Sequence, residues 1–422
     1  MNLAPNIDLF PILAAVLAAF CCGLLGNYLV LRRLSLMGDA MSHSVLPGLV
    51  IAFMLTGSRA APVMFLGALM AGITTVVLVE LIKRLGRVEP GAAMGVVFSV
   101  LFALGVLLIE RVARNTDLDA DCVLHGQLES LFWPDGPARW LDVLHPATLA
   151  AVPPQVWTLA ITCAVSFVFV LVLYKELRMA AFDPALATAQ GFHASILHYA
   201  LMVLVAGATV AAFEAVGSIL VIAMLIVPAA IARLLTDRMP TQLLLSTTIA
   251  VVAAVMGYLG SIALPSAMDK PQVNAAGSIA IALGVLFFVA MLFGPRDGVL
   301  ATAIRRFYLT RRIALDDLLA ALYRHEEGSP ITSRFAPKVY ARARRSGLVM
   351  PGQDTLTEAG RQRAAELIRR HRLWETYLVH RAGISADHAH EPAEHLEHLA
   401  EPLPSGGPQH DPHGKAIPPG VE

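Results

Sequence analysis

Charge is scarce in this sequence. Asp, Glu, Lys and Arg together make up 15% of its 422 residues, against about a quarter in an ordinary soluble chain. So thin a supply argues against a wholly soluble protein. The 32 basic and 32 acidic residues cancel, so the overall balance signals neither nucleic acid nor an acidic substrate. Cysteine is sparse as well. Only Cys21, Cys22, Cys122 and Cys163 occur, none in CxxC spacing and three of them within apolar runs; a disulfide framework and a thiolate zinc site are not indicated, and the thiols read as small buried hydrophobes. No GxxxxGK[ST] phosphate cradle is present, so this chain is expected to bind no nucleotide. Met1 to Asp8 lacks a basic leader, and the first apolar run ends at Arg32 and Arg33, the flank of a retained span rather than a cleaved signal.

Long apolar runs are what the sequence has instead. Hydrophobic residues make up 56% and the mean hydropathy is +0.63. A membrane span needs about 20 mostly apolar residues, and such windows fall at 9–30, 36–56, 61–82, 92–110, 156–174, 195–213, 216–235, 241–262 and 274–294. The expected fold is therefore an all-α polytopic membrane protein of about nine transmembrane helices. Arg32/Arg33, Lys83/Arg84/Arg87, Lys175/Arg178, Arg233/Arg238 and Arg296/Arg305/Arg306 fall on one side if the spans alternate, and the positive-inside rule makes that side cytoplasmic. The N-terminus then faces outward. Residues 131–156, with Trp133, Pro134, Trp140 and Pro146, are too broken for a span and read as an external loop.

The apolar runs stop near Gly294, which divides the chain into a membrane domain, 1–300, and a cytosolic domain, 301–422. Residues 314–327 carry apolar side chains at helical spacing, and a second helix is expected over 335–346, stopping at Ser346-Gly347. A two-stranded wing then turns at Pro351-Gly352, followed by a long helix capped near Thr357. The expectation is a mostly α, winged-helix-like domain. Residues 400–422, rich in Pro, Gly and His, read as extended or partly disordered.

Inside the second window, "LSLMGDAMSHSVLPGL" places Asp39 and His43 four residues apart, on one face of a helix. Ionisable groups in a span are costly enough to be functional by default, and a carboxylate with an imidazole suits Mn²⁺, Zn²⁺ or Fe²⁺. The plainer readings are that the two side chains bond each other, or that Asp39 caps the helix. Asp119, Asp121 and His125 could relay a cation but read first as a solvated loop. Glu214, between the sixth and seventh windows, is expected to face external water.

"SLMGDAMSHSVLPGL", "GRVEPGAAMGVVFSVLFALGVLLI", "DLDADCVLHGQL", "AFDPALATAQGF" and "AVGSILVIAMLIVPAAIARLL" follow one another along 8–294. In this order they resemble the manganese/zinc/iron permeases of ATP-binding-cassette importers. The resemblance implies that Asp39 and His43 line the metal pathway and that two permease chains form the pore. It also implies a separate ATPase subunit and an extracytoplasmic metal-binding protein that delivers the ion. "AFDPALATAQGF" becomes the segment that couples to the ATPase, framed by Asp183 and Gly191.

In the tail, "HRLWE" supplies His371 and Glu375, and "HAHEPAEHLEH" supplies His390, Glu394, His395, Glu397 and His398. Glu394, Glu397 and His398 share a helix face, an oxygen-rich set suited to a hard or borderline cation, or else a solvated charged face. Through "LTEAGRQRAAELIRRHRLWETYLV", "AEHLEH" and "DPHGKAIP", residues 314–418 resemble the diphtheria toxin repressor family of metal-responsive regulators. That resemblance implies one metal site from His371, Glu375 and His390, and another from Asp317, Glu394, Glu397 and His398. Glu394 stands where iron-type members carry Cys, which leans the sensed metal towards Mn²⁺; Ala320 stands where a second acid is expected. Only about 18 residues separate Gly328 from Gly347, room for one ordinary helix rather than two, so DNA binding is not expected. The alternative of a membrane-tethered, metal-responsive transcription regulator, and that of a proton-driven transporter, are weaker for lack of that helix and in view of the coupling segment. Neither resemblance separates Mn, Fe and Zn as the transported metal.

Overall fold

Each apolar run folds as one long helix, and proline or glycine marks most of the ends. The computed structural model describes residues 5–58, 60–112, 128, 131, 152–266, 273–296, 298–331, 334–397 and 409–419. Its chain divides into two units, Met1–Ala301 and Thr302–Glu422.

In the first unit the helices are α1 (Pro5–Leu31), α2 (Met37–Thr56), α3 (Ala61–Gly86), α4 (Pro90–Val112), α5 (Pro154–Val172), the short α6 (Tyr174–Phe182) and α7 (Pro184–Ala189), then α8 (Ala194–Val216), α9 (Ser218–Leu235), α10 (Met239–Ser266) and α11 (Ala275–Phe293). Among the described residues, nine of these are long and apolar enough to cross a membrane. The window expected to start at residue 216 begins instead after Gly217, whose φ of 84° and ψ of 162° form a kink that only glycine adopts cheaply. Glu214 consequently lies in the last turn of α8, half-buried, rather than in a connection between spans.

Burial sorts the spans. Two-thirds (67%) of the apolar stretch of α1 is buried, against 22% for α4 and for α11, so α1 is central and the other two are peripheral. α1 packs on α5, α8, α9 and α10, whereas α2 lies against α3, α4 and α8. Absent side chains let α2 approach its neighbours. A Cβ on Gly48 would stand 2.2 Å from the Gly67 carbonyl oxygen of α3, and one on Gly105 of α4 would stand 2.9 Å from Pro47. Such backbone contacts replace the hydrophobic drive that lipid does not supply.

In the second unit α12 (Val299–Glu326), which starts just ahead of the boundary, is followed by α13 (Pro337–Arg345), α14 (Glu358–His380) and α15 (Ala386–Glu397). Leu315, Leu318, Leu319 and Leu322 of α12 close a small core with Ala343, Val349, Leu356 and Ala364. The wing is reduced to one bridge, Val349 with Leu356, because Gly352 at φ 76° turns the chain at once. Thr357 caps α14 by accepting from the Gly360 amide at 3.1 Å while its hydroxyl donates to the Gly347 carbonyl at 2.7 Å. Between Gly328 and Gly347 the described residues hold α13 alone. Residues 409–419 are not extended: His410 bridges to Ala416, and buried Asp411 accepts from the amides of His413 and Lys415 at 3.0 and 2.7 Å.

Candidate metal sites

Asp39 is the third residue of α2, whose N-cap, Leu36, makes no side-chain bond. It is therefore not a cap, although its charge favours the positive end of the helix dipole. One turn on, His43 Nε2 lies 3.4 Å from Asp39 Oδ1. The Asp39 side chain remains 38% exposed and that of His43 24%, on a helix whose neighbouring positions Ala40, Met41, Ser42, Ser44 and Val45 are all buried. The pair thus occupies an open strip in the enclosed first half of α2, whose far end is exposed at Ile51, Met54 and Leu55. Phe98 and Phe102 of α4 hold the imidazole, with ring centroids at 5.1 and 5.8 Å. Pro47 sits inside the same helix and has no N–H, which leaves the His43 carbonyl without its usual helical donor. That oxygen is a further potential ligand beside the imidazole. The sequence signal for it, a proline four residues after His43, was present but was not read as part of the site.

A second constellation lies in the other unit. His371 Nε2, Glu375 Oε1 and His390 Nδ1 converge at 3.0 Å (371 to 375), 2.9 Å (371 to 390) and 2.7 Å (390 to 375). Helical spacing brings His371 and Glu375 together on α14, and the turn through Gly383, at φ 71°, returns α15 so that His390 meets them. Among the described residues this is the one group of three or more ligating side chains. His371 and Glu375 are buried, and His390 is exposed. Burial alone would raise the Glu375 pKa, but bonds and charge from His371 and His390 override it and pull the carboxyl down to about 2. Two imidazoles and one carboxylate suit a borderline divalent ion, and the donor separations are close to the ~3 Å between adjacent ligands of an octahedral ion with ~2.1 Å bonds.

The other expected set is not assembled among the described residues. Asp317 is half-buried on α12 and Glu394 is exposed on α15, while the Glu397 side chain and His398 lie outside the described residues. The buried acid of α12 is instead Asp316, held by Arg363 at 2.6 Å. Ala320 is buried too. Asp119, Asp121 and His125 also lie outside the described residues. One residue that sequence reasoning passed over is Arg372, next to His371. It is buried, donates to Glu327 and to the Ala416 carbonyl at 2.5 Å each, and lies 3.5 Å from Asp411, so it ties the 409–419 turn to α14. No local pattern marks it, because its partners are about 40 residues away on either side.

Asp183 and Gly191 frame α7 as a unit. The Asp183 carboxylate accepts from the amides of Ala185 and Leu186 at 3.0 and 2.9 Å, and Gly191 closes the far end at φ 91°. Of α7 only Ala187 is buried; Phe182 and Leu186 are exposed.

Helices of spanning length, one of which carries a carboxylate and an imidazole on an open strip, define a polytopic membrane protein with ionisable groups inside its spans. Residues 9–132 and 144–294 match the ABC 3 transport family, and the chain belongs to that family. Residues 357–403 match the iron dependent repressor, metal binding and dimerisation domain, so the protein joins a permease to a repressor-like segment. The chain is similar to the manganese transport system membrane protein MntD of Bacillus subtilis, 39% identical over 303 residues that cover 72% of this chain and 97% of that one. It is also similar to the zinc transport system membrane protein TroD of Treponema pallidum, 36% identical over 305 residues, covering 72% and 78% respectively. Among solved structures it resembles PsaBC from Streptococcus pneumoniae in complex with Fab, with a TM-score of 0.56 and 28% identity over 69% of this chain and 93% of that one.

Proposed function

We propose that this protein is the membrane-spanning permease of an ATP-powered importer for a divalent transition metal, with a metal-responsive domain on the cytosolic side. The observation that carries the reading is the Asp39–His43 pair, 3.4 Å apart on the open strip of α2. Two copies of the chain, or this chain and a related one, would set two carboxylates and two imidazoles across one pathway. The relatives named for manganese and zinc transport support a metal of that class. Manganese is favoured through the tail, where Glu394 stands in the sensing segment.

An ATPase subunit supplies the energy and docks on α7, where Phe182 and Leu186 offer exposed apolar contact; an extracytoplasmic metal-binding protein loads the outer mouth. The recurrence of Arg and Lys on one side of the alternating helices supports a cytoplasmic C-terminal unit. There His371, Glu375 and His390 bind cytosolic metal and report it to transport, and the single helix between Gly328 and Gly347 speaks against operator binding.

Uptake measured by elemental analysis, in cells lacking their other importers, tests the pathway. Asp39→Ala and His43→Ala are each expected to abolish accumulation while the purified chain keeps its thermal midpoint. Wild-type accumulation by either variant removes the pair from the pathway.

A further inference from the structure

The first half of α12 has no role in the reading above. After α11 ends at Phe293, five residues lead to Val299, and the Gly298 amide donates to the Gly294 carbonyl at 3.1 Å, folding that connection into a turn. Arg296 within it pairs with Asp237 between α9 and α10. At no more than ~3.6 Å per residue, α12 begins within about 20 Å of the end of a membrane span, and the Gly298–Gly294 hydrogen bond draws it closer, towards a headgroup layer about 5–8 Å deep.

What begins there is an amphipathic segment. At 100° per residue, Leu300, Ile304, Phe307 and Tyr308 fall within a sector of ~100°, and they are 48%, 47%, 52% and 63% exposed. Leu309 points the other way, into the cavity of about 180 Å³ that it lines with Ile313, Asp316 and Leu367. From Ile313 onward the helix packs into its domain, whereas residues 303–312 are exposed. Arg305 and Arg312 flank the apolar sector on one edge, and both are exposed; Arg306 lies on the far side of the helix. Arg311, inside the sector, folds its guanidinium over the Phe307 ring at 3.8 Å, which keeps the charge at the border of the apolar surface.

We infer that residues 299–312 form an interfacial helix that lies on the bilayer, with Leu300, Ile304, Phe307 and Tyr308 sunk among the acyl chains and Arg305 and Arg312 on anionic phospholipid headgroups. This rests on the membrane-spanning reading of α11, not on metal transport. Apolar area and basic charge reinforce one another at such a surface, each arginine strengthening partition by roughly fivefold. The helix would thereby hold the metal-responsive unit against the membrane, and lipid charge would set how firmly.

The test uses the full chain in nanodiscs of phosphatidylcholine, with and without phosphatidylglycerol. An environment-sensitive fluorophore is placed at Phe307→Cys or, as a water-exposed control, at Gln353→Cys, with the labelling of the unsubstituted chain subtracted. Acrylamide, a neutral quencher, is expected to quench the position-307 probe roughly threefold less, or weaker still, when the anionic lipid is present, with no change at position 353. Combining Arg305→Gln and Arg312→Gln is expected to erase the difference. Equal, strong quenching in both lipids overturns the inference. Shielding that ignores lipid charge overturns it too, and if a bifunctional reagent then joins two chains through the position-307 thiols, the face belongs to a second copy instead.

Discussion

Glu375 sits between two imidazoles, and the balance of forces on it gives a signed prediction. Its carboxyl is pulled from the ordinary 4.5 down to about 2, because the charged form is bonded in the fold and not in the unfolded chain. A depressed acid contributes stability above its unfolded pKa and loses that contribution as pH falls through its folded pKa. With metal chelated, the protection of α14 amides in the full chain, taken relative to their intrinsic exchange rate at each pH, should fall as pH drops from about 4.5 to about 2. Glu375→Gln should remove that dependence, and parallel profiles for the two proteins would show that the carboxylate is not so held. On the proposed role, metal would compete with protons for the same three atoms. His371→Ala should therefore weaken metal binding by at least the roughly 10–100-fold that loss of an outer-shell partner costs, as read by isothermal titration. The i, i+4 spacing of His371 with Glu375, and of Asp39 with His43, was legible because one helical turn imposes it. The choice of Asp316 over Asp317 as the buried acid was not, since both follow the same helix and only the position of Arg363 decides between them.

At the scale of elements, two contacts are exposed to test. Where α2 crosses α3, a side chain on Gly48 meets the Gly67 carbonyl at 2.2 Å, backbone that cannot swing aside. Gly48→Leu should cost about 1–3 kcal/mol or more, lowering the thermal midpoint in detergent, and an unchanged midpoint would mean that the two helices do not approach this closely. α7 depends on its cap. Asp183→Ala strips two amides of their acceptor at about 1 kcal/mol, enough to fray six residues but too little to unfold the spans. Co-purification of the ATPase should fall while the midpoint stays, and full retention would count against docking at α7. Element types and most boundaries were legible in the windows, since hydropathy is summed residue by residue. Residue 217 was placed inside a window because a single glycine barely changes such an average, although its backbone freedom is what splits α8 from α9. The turn at 409–419 was missed for the opposite reason: its composition is that of a loose tail, while Asp411 and distant Arg372 hold it.

For the whole molecule, the division at Ala301 and Thr302 allows transport and response to be separated. A chain stopped after Ala301 should insert and accumulate metal, but its uptake should no longer change when cytosolic metal is raised; a retained response would place the sensor elsewhere. Membrane residence, the number of spans, their alternation and the family itself follow from the sequence, because lipid demands runs of apolar residues and those runs are local. The junction with a repressor-like segment was legible in the same way, from motifs in fixed order. The resemblance grouped His390 with His371 and Glu375, and the tertiary structure gave the turn and distances that join them; only the tertiary structure set the phenyl rings of α4 against His43 and buried Arg372 among Glu327, Asp411 and Ala416. Those approaches depend on how helices pack and where glycine lets a chain turn back, and no window along the chain contains both partners.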